Sequence, residues 1–253
     1  MELRVLGLRL PLIRPGDDLL RLILKAAAQV GGVRDGDVLV VSSKVVATAQ
    51  GRIVELTRIR PSQRAKRIAV KTEQSPEFVE LVLREANRIL AVRKGAILTI
   101  KNGMICVNAG VDASNAPPGH VALMPANPNR VAEELRATLM KSSNKKVGMI
   151  ISDSHVNPLR LGAVGQAVGV AGLEPVADQR SRPDLYGKPL QITFRAVADQ
   201  LATAAQVVMG EGNERAPVVI VRDIKIDFVE KPKRSPTISP KRCIYFHGAT
   251  FRK

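Results

Sequence analysis

Apolar runs and polar breaks along the chain predict a protein that mixes helices and strands. Residues 3–13 read as a strand leading into a turn at Arg14, Pro15 and Gly16. Asp17 or Asp18 then caps a helix whose apolar positions Leu19, Leu22, Ile23, Ala26, Ala27 and Val30 recur at helical spacing. Gly31 and Gly32 end it, as glycine just past a helix C-terminus does. Residues 35–46, DGDVLVVSSKVV, read as a turn and a buried strand, and residues 62–70 as a short helix. Ser75, Pro76 and Glu77 open a stronger helix, with proline at its first position and an acid against the positive end of the dipole. Its predicted inward stripe is Val79, Val82, Leu83, Ala86, Ile89 and Leu90.

AILTI and MICVN flank Lys101, Asn102 and Gly103, an Asn-Gly hairpin signal, so this hairpin delivers Asp112 to the end of its second strand. Further on, the pattern predicts a helix over 131–140 and strands at 147–151 (VGMII) and 191–194 (QITF). An amphipathic helix over 196–209 stops at Gly210, and a last strand covers 218–223. Strands and helices do not alternate regularly, which predicts an α+β fold, mixed sheets with flanking helices, rather than a doubly wound sheet. From residue 230 the composition changes: EKPKRSPTISPKR concentrates prolines and basic side chains. The reading is a globular region over 1–229, open to division into two subdomains, and a basic C-terminal tail over 230–253.

Composition narrows the function classes. At 253 residues with 45% hydrophobic side chains, the chain can bury a substantial core. Aromatics are 3% with no Trp, which weakens any reading built on base stacking. No apolar run approaches the roughly 20 residues of a membrane span. Charges and a proline interrupt the N-terminal apolar run, so it does not read as a signal peptide. Cys106 and Cys243 form neither a metal-spaced pair nor a disulfide framework, and Cys106 reads as a buried thiol. A cytoplasmic protein is expected. The net charge of +16 suits nucleic acid, an anionic membrane or anionic small substrates. One small-molecule site needs only a handful of cations, so a general surface bias accounts for the excess equally well.

Three stretches carry candidate chemistry: VNAGVDASN at 107–115, ISDS at 151–154 and MGEG at 209–212. Each sets a carboxylate (Asp112, Asp153, Glu211) beside small residues where an element gives out, with the Ser154 hydroxyl and the Asn115 amide close by. Such oxygen donors suit Mg²⁺ or Mn²⁺, which keep waters and bridge one or two carboxylates to phosphates. Each also has a structural reading. Asp112 can cap its own turn, Asp153 can be an N-cap, Glu211 can be a solvated loop acid, and Gly210 and Gly212 can simply end a helix. No GxxxxGK[ST] occurs, which excludes a P-loop. Gly162, Gly165, Gly169 and Gly172 lack the strand-then-helix grammar of a dinucleotide fingerprint. His120, His155 and His247 are scattered, with His155 a neighbour of the metal stretch rather than a ligand.

VNAGVDASN followed by SDS, DLYGKPL, AVADQLA and MGEG is similar to the coenzyme F420-0:L-glutamate ligase family, a likeness that runs from Leu10 to Asp223. The resemblance implies the F420 gamma-glutamyl ligase-like fold in an intertwined homodimer with sites near the interface. It implies a GTP-dependent amide ligase that adds L-glutamate to coenzyme F420-0 through an acyl phosphate. Two divalent ions per site, Mg²⁺ or Mn²⁺, are implied, with K⁺ a further cation to consider. Asp112 and Asp153 would share one ion, with Ser154 and Glu211 on the second. Leu10, Pro11, Leu12, Ile13, Ser43, Lys44, Asn115, Met209, Gly210, Gly212, Asn213 and Glu214 would contact the nucleotide.

The chain departs from the family's pattern in three places. HVNPLRLGAVG follows SDS where an aromatic or Gly-containing run with Arg, Trp and an acid is usual, although Arg160 is kept. Thr48 stands where Lys is frequent, and NPN at 127–129 replaces an acidic DPD-like stretch. These departures favour, as an alternative, a related metal-dependent ligase with a different acceptor or amino acid. A second alternative is a basic nucleic-acid-binding protein on an inactive ligase scaffold. Joint retention of Asp112, Asp153, Ser154 and Glu211 and the shortage of aromatics argue against it.

Overall fold

The computed structural model describes residues 2–246. In chain order its elements are β1 (Arg4–Leu8), α1 (Leu19–Ala28), β2 (Val38–Ser42), α2 (Ser43–Ala49), β3 (Ile53–Glu55), α3 (Gln63–Thr72), α4 (Pro76–Glu85), β4 (Arg88–Arg93), β5 (Ala96–Lys101) and β6 (Met104–Val107). There follow β7 (His120–Ala122), α5 (Pro128–Ser143), β8 (Gly148–Val156), β9 (Ala163–Ala171), β10 (Ala177–Asp178), β11 (Phe194–Arg195), α6 (Val197–Met209) and β12 (Val218–Arg222). The fold is α+β, as the sequence pattern predicts. No helix among the described residues is long and apolar enough to cross a membrane.

A five-stranded sheet ordered β1-β12-β2-β8-β9 forms the centre. Only the β2–β8 pair is parallel. Both strands are buried on both faces, so each reads as a continuous apolar run, VLVV and MII, as central strands do. Side chains alternate across the sheet. Leu39, Val41, Met149, Ile151, Val218 and Ile220 pack under α1 and α5. Val38, Val40, Ile150, Val219 and Val221 pack under α6. A second unit, the three-stranded sheet β4-β5-β6 with α3 and α4, has its own core around Val79, Val82, Ile97 and Val121.

Local signals explain most element ends. Asp18, not Asp17, caps α1 by accepting from the Arg21 N–H, while Asp17 accepts from the Arg14 N–H. Ser62 and Ser75 cap α3 and α4 in the same way. The β5–β6 hairpin turns at Asn102 and Gly103, both at positive φ as a two-residue hairpin turn requires.

Three expectations are corrected. The apolar stripe predicted for α4 runs on to Leu90, but the helix ends at Glu85. Ile89 and Leu90 belong to β4, whose pairing with β5 overrides the helical spacing. Ser43 and Lys44 start a helix instead of continuing β2. The run 163–171, not assigned from the sequence, is a full strand, β9. A Cβ at Gly165 would lie 2.3 Å from the Ala202 carbonyl oxygen of α6, and one at Gly169 would lie 2.3 Å from that of Pro128 on α5. These two glycines therefore let helices on opposite faces touch the strand. Finally, QITF is not a strand. Only Phe194 and Arg195 pair, with Asp178 and Ala177, and Pro183 facing Pro189 cannot extend a ladder for want of N–H donors.

The segment after residue 226 is bonded to the body. Arg136 forks onto Glu230 at 2.7 Å on both oxygens, and the buried Glu174 carboxylate accepts the N–H groups of Lys233 and Arg234. His247, Arg252 and Lys253 lie outside the described residues.

One buried ion pair ties the sheet's lower edge together. Arg222, at the end of β12, donates from Nε and a terminal nitrogen to the two oxygens of Asp37, just before β2, at 2.8 and 2.7 Å. Both side chains are almost fully buried. Arg222→Leu would leave the Asp37 carboxylate buried without its cation, a change expected to cost about 3–5 kcal/mol. Urea unfolding of the variant checks this, and a loss below about 1 kcal/mol would show that the pair is not the anchor described here.

Candidate active site

The site forms where the parallel pair comes apart. Ser42 and Ser152 are opposite each other, and one residue later the two strands diverge. β2 turns into α2 at Ser43, whereas β8 continues to Val156 against β9. The edge of β8 that β2 has left is thus open beside Asp153. This places Asp153 inside a strand and removes its reading as an N-cap. Ser43, the first residue of α2, is buried and donates its hydroxyl proton to Asp153 Oδ1 at 2.6 Å.

Asp112 arrives from the other unit. After β6 the backbone makes a tight turn at Asn108, Ala109 and Gly110, all at positive φ, and Ala109 is completely buried. An alanine held there is strained, which is common beside functional sites. Asp112 then exchanges two backbone hydrogen bonds with Ala122. The 122–124 segment is itself held by Arg52, which takes the Leu123 N–H on its carbonyl and donates from Nε to the Met124 carbonyl. Glu85 accepts from Arg52 and Lys101, fixing that arginine. Asp112 Oδ1 accepts from the Ser114 N–H and hydroxyl, so it does cap its own turn, yet Oδ2 reaches Lys44 Nζ at 2.5 Å.

Glu211 comes from the loop beyond α6. Its Oε1 accepts the Ser154 hydroxyl at 2.7 Å and the Gln206 amide. Asn115 Nδ2 reaches the Glu211 carbonyl at 3.4 Å. Ser43, Lys44, Asp112, Asp153, Ser154 and Glu211 all line one cleft of about 240 Å³, with Asn108, Gly110 and Met124 along its wall. All four proposed metal-site residues therefore face the same space, together with the Ser43-Lys44 pair.

The remaining expected nucleotide residues do not line that cleft. Leu10 and Ile13 are buried in the core under α1, while Pro11 and Leu12 are exposed. The Leu10 N–H bonds the Arg215 carbonyl, which lays the 9–13 segment beside the loop after α6. Met209 closes α6 and Gly210 caps it at positive φ; a Cβ there would strike the Glu214 carboxylate. Glu214 accepts the Gly212 N–H, and Asn213 is exposed. This loop is thus folded on itself next to the cleft mouth. Gln206 and the Arg52 clamp escape a reading of the sequence. Gln206 sits five residues before Glu211 on a helix that gives no sign of facing a site.

Electrostatics separate the two aspartates. Burial pushes the Asp153 carboxyl above its ordinary value, against the Ser43 hydrogen bond and the Lys44 charge. Burial also acts to raise Asp112, but Lys44 and the two Ser114 bonds outweigh it and hold that carboxyl below the usual aspartate value. The His155 ring is pushed down by burial, against the nearby charges of Asp153 and Asp199. It does not line the cleft.

The donors facing the cleft are hard oxygens, which fits Mg²⁺ or Mn²⁺. Among the described residues no three Asp, Glu, His or Cys side chains converge closely enough to hold an ion alone. Ions here would need oxygens from a second source, as Mg²⁺ does when phosphates complete its shell. A larger cavity of about 660 Å³ lies between α1, α2 and α5, but its acids are committed elsewhere. Asp18 caps α1, Asp17 accepts from Arg14, and Glu134 pairs with Arg130.

The family model described as F420-0:Gamma-glutamyl ligase matches residues 7–223. A Methanopyrus kandleri protein named coenzyme F420:L-glutamate ligase is 44% identical over 238 residues, covering 92% of this chain and 93% of its own length. Proteins of the same name from Archaeoglobus fulgidus and Methanothermobacter thermautotrophicus are similar at 42% and 40% identity. The first covers 86% of both chains, the second 98% of this chain and all of its own.

Cys106, on β6 behind Asp153, is a buried thiol whose pKa burial pushes up to about 11, with the Asp153 charge adding to the shift. Cys243 is half-exposed. A disulfide thiol reagent at mildly alkaline pH should therefore modify Cys243 alone in the native protein, and both cysteines after denaturation. Rapid modification of Cys106 in the folded chain would contradict its burial.

Proposed function

The chain belongs to the F420-0:gamma-glutamyl ligase family, and from that premise we propose that it joins L-glutamate to coenzyme F420-0 through an amide bond, driven by GTP. The observation that carries the reading is the single cleft lined by Asp112, Asp153, Ser154 and Glu211 with Lys44 beside them. A carboxylate does not condense with an amine unaided, because its oxygen is a poor leaving group. In the proposed sequence an acceptor carboxylate oxygen attacks the γ-phosphorus, the bond to the bridging oxygen breaks, and GDP leaves. The glutamate amine then attacks the acyl carbon, and phosphate departs with the former carboxylate oxygen. Such a transfer is largely alignment and charge stabilisation.

Asp112 and Asp153 would hold one divalent ion, and Ser154 and Glu211 a second. Bound there, the ions would neutralise charge developing on the transferred phosphoryl group. The protein's own contributions are specific. Ser43 fixes the Asp153 rotamer through its hydroxyl. Lys44 brings an ammonium to the Asp112 side of the cleft, where it can pair with a phosphate oxygen. Gln206 and Ser154 together orient Glu211. The 9–13 segment and the 209–215 loop, bonded to each other at the cleft mouth, would receive the nucleotide.

A homodimer is part of the proposal. Leu185, Tyr186 and Ile192 on the 179–193 arm are 85–100% exposed, and Leu159 and Leu161 on the β8–β9 turn are fully exposed. A second copy would cover such side chains. The same turn carries one of the three departures from the family pattern, which keeps a ligase for a different acceptor as the second reading.

Purified protein given F420-0, L-glutamate, GTP and Mg²⁺ or Mn²⁺ should yield a glutamylated product and GDP, read by mass spectrometry. No product across a range of nucleotides and metals, from folded protein, would remove the named reaction; product from another acceptor would establish the second reading. Asp112→Asn and Asp153→Asn should each reduce turnover at least about 100-fold while leaving the fold intact, because each removes a charge facing the transferred group. Wild-type turnover by either variant at low metal concentration would overturn that residue's role.

A further inference from the structure

The strongest feature outside the cleft is the outer face of α3. Its sequence, QRAKRIAVKT, holds four cations and no acid. Ala65, Ala69 and Thr72 point into the second unit's core, and Arg64, Lys66, Arg67 and Lys71 are all exposed on the opposite side. At 100° per residue, Arg64, Arg67 and Lys71 form one stripe along the helix, with neighbours about 5 Å apart along its axis, and Lys66 flanks it. Among the described residues none of these four side chains makes an ion pair or a hydrogen bond. Arg60, before the helix, and Arg93, near its last turn through the Gly95-to-Thr72 hydrogen bond, are likewise exposed and without an ion pair there.

Three acids near α3 are taken: Glu73 pairs with Lys94, Glu80 with Arg84, and Glu55 with Arg58. The tail, where the sequence concentrates charge, is partly paired, since Arg234 bonds Asp178 and lies over the Phe194 ring. Close like charges along one helix face repel one another, so an uncompensated stripe fits a surface that meets an outside polyanion.

We propose that the outer face of α3 is a docking surface for the phosphate backbone of a nucleic-acid duplex, bound for its charge and not its sequence. Arg and Lys on flexible stems neutralise successive phosphates and release counterions. No aromatic residue lies on the helix to stack unpaired bases, which favours a duplex over a single strand. Val70 is the one largely solvated apolar side chain on this face, too little for a helix to seat in a lipid surface. The surface is separate from the cleft, so this inference stands whether or not the ligase reading does.

The test uses the full chain and a labelled RNA duplex about two helical turns long, with a DNA duplex of equal length beside it. Fluorescence anisotropy from about 50 to 200 mM salt gives affinity and its salt slope. Replacing Arg64, Lys66, Arg67 and Lys71 together by Gln should weaken duplex binding at least about tenfold and reduce the log–log salt slope by about 3.6, roughly 0.9 for each of the four phosphates no longer neutralised. The circular dichroism spectrum and thermal midpoint of the variant should match the parent. Unchanged affinity and slope in a folded variant would overturn the proposal. So would loss of binding on replacing Lys241 and Arg242 but not the α3 set, or binding by the parent to anionic lipid vesicles and not to either duplex.

Discussion

The parallel pairing of β2 with β8 is the constraint from which the site follows. Two short strands, each apolar on both faces, can be satisfied only at the centre of a sheet covered by helices on both sides, and α1, α5 and α6 supply that cover. Five in-register pairs from Val38–Gly148 to Ser42–Ser152 then fix where both apolar runs end. The residues just beyond the last pair, Ser43 and Asp153, are brought within hydrogen-bond distance although 110 residues separate them in sequence. A shift of one residue would turn every side chain of a strand to the opposite face, so the core enforces this register. The candidate chemistry thus inherits its precision from burial, and sits at the carboxyl ends of parallel strands, where ligands of open sheets commonly lie.

The second constraint is charge. Asp112 and Asp153 face one cleft from different units with Lys44 between them in effect, hydrogen-bonded to one and favouring the charged form of the other. Burial opposes ionisation at both, but only Asp112 has enough partners to overcome it. At Asp153 the Ser43 hydroxyl, the Lys44 charge and the Ser154 backbone do not offset burial. Within the second unit, Arg52 clamps the 122–124 segment, whose Ala122 pairs with Asp112. That clamp depends in turn on Glu85 between two cations. The junction with the central sheet is also apolar: Met104, Cys106 and Met124 pack together with Val168 of β9 against them.

Much of this is legible in the sequence, and the failures have physical causes. Helices with side-chain caps are readable because short polar residues do the capping at α1, α3 and α4. The β5–β6 hairpin is readable from Asn102 and Gly103. The three carboxylate stretches are readable as chemistry because acids beside small residues are hard to place in a core. β9 is not, since its glycines look like a loop until the helices that press on them are in place. β4 is not, because Ile89 and Leu90 continue the α4 period and only pairing with β5 tells them apart. The Ser43 hydrogen bond and the Gln206 contact require knowing which strand ends meet, and that is long-range information.

The same distinction separates what the fold constrains from what it leaves free. Asp153 and Ser154 cannot shift without breaking the β8–β9 ladder, and Asp112 is tied to Ala122 by two backbone bonds. The residues immediately beyond, 157–162, carry none of these restraints: they are exposed, and their one internal backbone bond runs from the Arg160 N–H to the Asn157 carbonyl. Substitution there costs the core nothing, so a chain can keep the carboxylate cleft intact while its turn drifts to a new sequence such as NPLRLG. The turn and the cleft are therefore held by different forces: the cleft by buried register and backbone ladders, the turn by almost nothing.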